Sequence, residues 1–167
     1  MSEKPRKSRA LRLVKGPANV VPLPRRKQER GARSGGFRTM VARALEPAQA
    51  IELVRQGLPA RTVDEAVAYM EISQRDLLTA LRIPISTYHR KLAANESLSS
   101  SETEKVVRLA EVARLAESAF GDAKRAREWL LMDNLALGAP PLSLMDTDAG
   151  AAQVRRALGV IDFGGVA

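Results

Sequence analysis

The chain has 167 residues, enough for one ordinary domain or two small ones, and its 45% apolar content with only 4% aromatic residues favours packed helices. It contains no cysteine, which excludes a disulfide framework, a thiolate metal site and a cysteine nucleophile. No apolar run approaches a membrane span and no hydrophobic region follows the N-terminal charges, so a soluble, cytoplasmic protein is expected.

The net charge of +8 is unevenly placed. Residues 1–46 hold 13 Lys/Arg against three Glu, net +10, while the remainder holds 14 against 16, net −2. The first 44 residues therefore read as a disordered basic arm, rich in Pro and Gly, with Phe37 as its single aromatic. Such an arm suits phosphate contacts on nucleic acid. The alternatives are a solvated extension and a transit peptide, the latter disfavoured by the interleaved prolines.

From Leu45 the pattern turns helical. Ala48 to Gln56 is a short helix stopped by Gly57 and Pro59, and Thr62-Val-Asp-Glu65 has the form of a capping box opening a helix to about Met70. Ser73 to Asp76 opens the next, with Leu77, Leu78 and Leu81 on one face, and Arg82-Ile-Pro84 breaks it. A further helix over Ile85–Ala94 completes a helix-turn-helix plan and is the candidate recognition helix. Tyr88 and Leu92 face inward; Ser86, His89 and Arg90 share the outward face, with Thr87 and Lys91 beside them. These five residues are the candidate DNA contacts, Arg90 being able to donate a bidentate pair to guanine. A helical hairpin with a merely wet charged face is the alternative, since Arg82 stands where such turns often carry Gly.

After Leu98, either Ser99 with Glu102 or Ser101 with Glu104 caps the longest helix, to about Phe120. Its broad stripe of Val106, Leu109, Ala110, Ala113 and Ala116, widened by Val112, Leu115 and Ala119, predicts a strut buried on more than one side. Asp122 caps a helix to about Met132, with Ala126, Trp129 and Leu130 facing in; Trp129 reads as a core anchor and not as a cofactor platform. Gly138 and Pro140-Pro141 force a loop over 134–144, and Thr147 or Asp148 caps a last helix to about Leu158. Gly159, Gly164 and Gly165 then loosen a tail whose Val160, Ile161, Phe163 and Val166 are apolar anchors suited to a partner's concave site, or else complete the core.

Catalytic patterns are absent. His89 is the only histidine and lies among basic residues; there is no H-E-x-x-H, P-loop or G-x-G-x-x-G; and Asp146, Asp148 and Asp162 lack the spacing of a calcium loop. No enzyme, metal or cofactor is expected.

Trp129-Leu130, Asn134, Ala136-Leu137-Gly138, Pro141, the run Leu142 to Leu144, Thr147, Gly150, Val154, Leu158 and Ile161 closely resemble the toxin-binding domain of the Xre/MbcA/ParS antitoxins. Asp133 departs from that pattern, where Pro usually precedes the Asn. Thr87, Arg90, Leu98, Ser99, Glu102, Arg108 and Leu109 resemble the Xre-like domain that precedes it in the same proteins. The resemblance implies an all-α protein of three parts: a basic arm over 1–44, an Xre-like helix-turn-helix domain over 45–120 and a small toxin-binding domain over 121–167. It implies a type II antitoxin that neutralises a cognate toxin, commonly a RES-domain protein that consumes NAD, and represses its own operon as a homodimer on operator DNA. Arg155, Arg156, Val160, Ile161, Asp162 and Phe163 are the candidate toxin contacts. A stand-alone helix-turn-helix regulator whose C-terminal half only dimerises it is the competing expectation.

Overall fold

The computed structural model describes residues 36–162 and Gly164. Among them the fold is all-α: α1 (Phe37–Ala42), α2 (Pro47–Gln56), α3 (Thr62–Met70), α4 (Gln74–Ala80), α5 (Ile85–Ala93), α6 (Ser100–Phe120), α7 (Ala123–Leu131), a single 3-10 turn (Pro141–Leu144) and α8 (Asp148–Asp162). One isolated antiparallel bridge joins Pro59 to Ser97.

The long helix α6 is the strut that its broad apolar stripe implies. Val106, Leu109, Ala110, Val112, Ala113 and Ala116 are all fully buried, and α1, α2, α7 and α8 pack on it from different sides. Small Ala side chains allow close helix approach, while the larger side chains fill the space between. Of the two possible caps, Ser99 with Glu102 forms: the Glu102 N–H donates to Ser99 Oγ, and Glu102 Oε2 accepts from the Ser99 N–H at 2.7 Å. Gly121 ends the helix in the left-handed conformation.

Three elements depart from the sequence expectation. The arm was expected to run to residue 44, but Phe37–Ala42 is a helix with Phe37, Met40 and Val41 buried against α3 and α6. Phe37 is fully buried, and its ring lies 5.4 Å from that of Tyr69. Residues 1–35, the remainder of the arm, lie outside the described residues.

The expected capping box at Thr62 does not form. Thr62 is the first residue of α3 and is buried, and the flanking Arg61 makes no side-chain cap. Glu65 instead reaches across to α1, where its carboxylate accepts from the Phe37 N–H at 2.7 Å. That bond satisfies an otherwise orphaned donor at the start of α1. Finally, α8 runs through Gly159 to Asp162, one turn beyond the expected stop at Leu158.

Candidate functional site

The helix-turn-helix is built on α4 and α5. Ser73 caps α4 by accepting from the Asp76 N–H, and Leu77, Leu78 and Leu81 are fully buried. The turn then closes tightly: Ile83 N–H donates to Leu78 O at 2.9 Å, and Arg82 sits at φ +48°, a left-handed conformation for which Gly is the ordinary choice. Arg82 is held there at both ends, its guanidinium 2.7 Å from Asp146 and its carbonyl accepting from Lys105 Nζ. Pro84 flanks α5 in extended conformation and offers its carbonyl to Tyr88 N–H.

Tyr88 anchors α5. It is fully buried, and its hydroxyl donates to Asp64 Oδ1 at 2.6 Å, an oxygen that also accepts from Gln74 Nε2. Burial first, then the bond to Asp64 and that carboxylate's charge, raise the phenol well above its ordinary value. The proton therefore stays on Tyr88, and the bond ties α5 to α3.

With Tyr88 turned in, Ser86, His89 and Arg90 are exposed on the outer face of α5, with Thr87 half-buried beside them. Arg90 is not free: both oxygens of Glu96 accept from its Nη1, at 2.9 and 3.2 Å. One edge of the guanidinium is thereby oriented, and Nε and Nη2 make no hydrogen bond to the described residues. Lys91 requires a correction. It is buried, only 8% exposed, and its Nζ is paired with Glu102 at 2.5 Å, so it cannot also serve a groove. The helical period that places position 91 beside position 90 also turns it toward the start of α6.

Glu102 thus accepts from Lys91 and from Ser99. Burial alone would raise its carboxyl, but the Lys91 bond, the backbone and hydroxyl of Ser99 and the Lys91 charge outweigh it and hold the group below the usual carboxylate range.

The second candidate surface lies on α7 and α8. Asp122 caps α7, and Trp129 packs half-buried on Phe120 with ring centroids 5.7 Å apart. The loop that follows is shaped by Asn134, whose Oδ1 accepts from the N–H groups of Ala136 and Leu137 at 3.0 and 3.1 Å. This Asx turn needs no Pro before the Asn, so Asp133 is accommodated. It leaves Met132 and Leu135 exposed.

Thr147 caps α8, accepting from the Gly150 N–H. Gly150 is buried so tightly that a Cβ there would lie 2.2 Å from Leu144 O. Arg108, 8% exposed, fastens this end to α6: it donates to Met145 O at 3.2 Å and to Glu104 at 2.8 Å.

Along α8, Val154 and Leu158 face the core while Arg156, Val160, Ile161 and Asp162 are exposed. Arg155 is half-buried and committed within the chain, its guanidinium bonded to Glu111 at 3.1 Å and Asp148 at 3.4 Å. Val160 and Ile161 sit on the last turn of a helix and not on a loose tail; Phe163 lies outside the described residues. Asp146 and Asp148 are engaged by arginines, and no group of three metal-ligating side chains forms among the described residues.

Two family models divide this architecture between them. Residues 49–111 match the antitoxin Xre-like helix-turn-helix domain, and residues 115–164 match the antitoxin Xre/MbcA/ParS C-terminal toxin-binding domain. The chain is 31% identical over 131 residues to the Prs ADP-ribosylating antitoxin of Sphingobium sp. (strain YBL2), covering 72% of this chain and 82% of that protein. It belongs to the Xre/MbcA/ParS antitoxin family. An Antitoxin Xre of Photorhabdus laumondii is 28% identical, with 67% of this chain and 77% of the relative covered. For an Antitoxin Xre of Pseudomonas putida the identity is 27%, over 53% and 59% of the two chains.

Sequence reasoning missed several residues that shape this antitoxin's surfaces. Glu96, which holds Arg90, lies six positions away across a helix end. Asp64, which holds Tyr88, lies 24 away, and no local period links either pair. Among the described residues no helix is long and apolar enough to cross a membrane.

Proposed function

We propose that this antitoxin binds and neutralises a cognate toxin through its C-terminal part, residues 121–167, and represses its own operon through residues 45–120, acting as a cytoplasmic homodimer. The observation that carries the reading is the toxin-binding family match over 115–164, which falls on a module ending in the exposed Val160 and Ile161. Apolar side chains on a solvent-facing last turn cost hydration unless a partner covers them. Arg156 and Asp162 flank them as polar orienting groups, with Arg155 behind. The relative from Sphingobium is named for an ADP-ribosylating system, which favours an NAD-consuming toxin of the RES type as the partner. The antitoxin itself binds no NAD and catalyses no reaction in this scheme.

On the DNA side, Ser86, Thr87, His89 and Arg90 are the contacts of α5 with the major groove, and the basic arm adds phosphate contacts. The test is co-purification of the toxin encoded beside this gene on the tagged antitoxin, followed by an NAD-consumption assay. Stoichiometric inhibition, relieved by removing residues 160–167 while gel-shift binding to the operon's own promoter persists, is the expected result. A toxin that remains fully inhibited by the truncated protein overturns the assignment of the α8 terminus. Failure of the full chain to inhibit overturns the neutralisation itself.

A further inference from the structure

Among the described residues only three other than glycine hold a positive φ: Glu71 at +57°, Arg82 at +48° and Asn95 at +54°. Asn is an ordinary occupant of that conformation because its short polar side chain bonds locally; a long charged side chain is not. Glu71 ends α3 and Arg82 follows α4, so the two strained positions bracket α4, the first helix of the helix-turn-helix. Each sends its side chain to the other family-matched region. Glu71 accepts from Arg127 Nη2 of α7 at 2.7 Å, and Arg82 Nε lies 2.7 Å from Asp146, in the turn before α8.

The C-terminal partners are the more deeply set members of both pairs. The Arg127 side chain is 17% exposed and lies 5.8 Å from the centre of the Tyr69 ring, and that of Asp146 is 14% exposed, whereas Glu71 and Arg82 reach them from solvent. An ion pair with one exposed member adds little stability, and glycine would relieve the backbone at both places, so stability does not account for the charged residues. Orientation does. The two pairs have opposite polarity, which prevents either end of α4 from taking the other's partner.

We propose that Arg127 and Asp146, both in the toxin-binding region, are positioning residues for DNA recognition: they clamp the two ends of α4 and thereby set the angle at which α5 meets the groove. The proposal rests on the reading of α5 as the recognition helix. It makes the C-terminal region part of the DNA-reading apparatus, in addition to its toxin contacts.

Glu71→Gly with Arg82→Gly in the full-length chain removes both ties, eases both backbones and leaves the net charge unchanged. Fluorescence anisotropy should show affinity for the operon's own promoter about tenfold weaker, and affinity for random-sequence DNA of equal length within about twofold of wild type. The melting temperature should stay close to that of the wild type. Glu71→Gly alone should also weaken promoter binding, although removing an acid favours DNA electrostatically; no phosphate contact explains such a loss. Arg82→Lys, which keeps a cation for Asp146, should retain most of the promoter affinity.

A wild type that binds both DNAs equally overturns the recognition reading, and the clamp with it. With a discriminating wild type, unchanged promoter affinity in the double variant overturns the clamp alone. So does an equal loss on both DNAs, which marks Arg82 as a phosphate contact, or a loss accompanied by a melting temperature lower by several degrees, which marks the ties as structural.

Discussion

Replacing Lys91 separates a structural lysine from a DNA-binding one. Lys91 and Glu102 have side chains only 11% and 12% exposed, so removing the ammonium leaves a carboxylate stranded in low dielectric. Breaking such a pair costs about 3–5 kcal/mol when nothing else compensates. Glu102 keeps its bonds from Ser99, which reduces the expected loss for Lys91→Met to about 2–3 kcal/mol, or a melting temperature lower by roughly 7–11 °C for a folded unit of this size. The double variant Lys91→Met, Glu102→Gln should recover most of that loss, because glutamine can still close the capping box. Thermal unfolding followed by circular dichroism, beside DNA binding titrated against salt, provides the assay. If Lys91→Met melts like the wild type but loses about 0.9 from the log-log salt slope, Lys91 contacts phosphate and the buried-pair argument is refuted.

Glu102 also sets an acid limit. Its carboxyl lies below the usual range in the fold, so its stabilisation is present above the unfolded carboxyl's value and is lost as pH falls through the folded one; the penalty of Lys91→Met should shrink in step in acid-unfolding curves. Gly150→Ala should cost about 1–3 kcal/mol in urea unfolding, because the new methyl meets the backbone oxygen of Leu144 and not a movable side-chain end; an unchanged midpoint would refute that close approach. Glu96→Gln removes an acid beside the Arg90 guanidinium that we propose faces the groove, and should tighten binding to non-specific DNA about two- to fivefold with little change in melting temperature, read by fluorescence anisotropy. Equal affinities would place Arg90 away from DNA.

The helices were legible wherever periodicity and caps agreed. Ser73, Ser99 and Asp122 each cap the helix their position suggests, and the stripe from Val106 to Ala116 is the core of α6. What was not legible depends on pairs distant in sequence. Thr62 and Glu65 have the spacing of a capping box, yet the better partner for Glu65 is the start of α1, 28 residues upstream. The charge run of the arm hid the short apolar set of Phe37, Met40 and Val41, whose burial depends on α3 and α6. Lys91 looked like a groove residue because its type fits phosphate; only the turn between α5 and α6 decides that it meets Glu102. Arg155 similarly looked available until Glu111 and Asp148 came to face it.

Since α6 carries contacts to α1 and α2 as well as to α7 and α8, the two family-matched regions share a single spine. Melting one region exposes the apolar stripe that the other needs, so calorimetry should record one transition and not two. A protein clamped on α8 would then slow amide exchange in the turn between α4 and α5, although it touches neither helix, because any ligand of the native state alone adds to the stability of the whole cooperative unit.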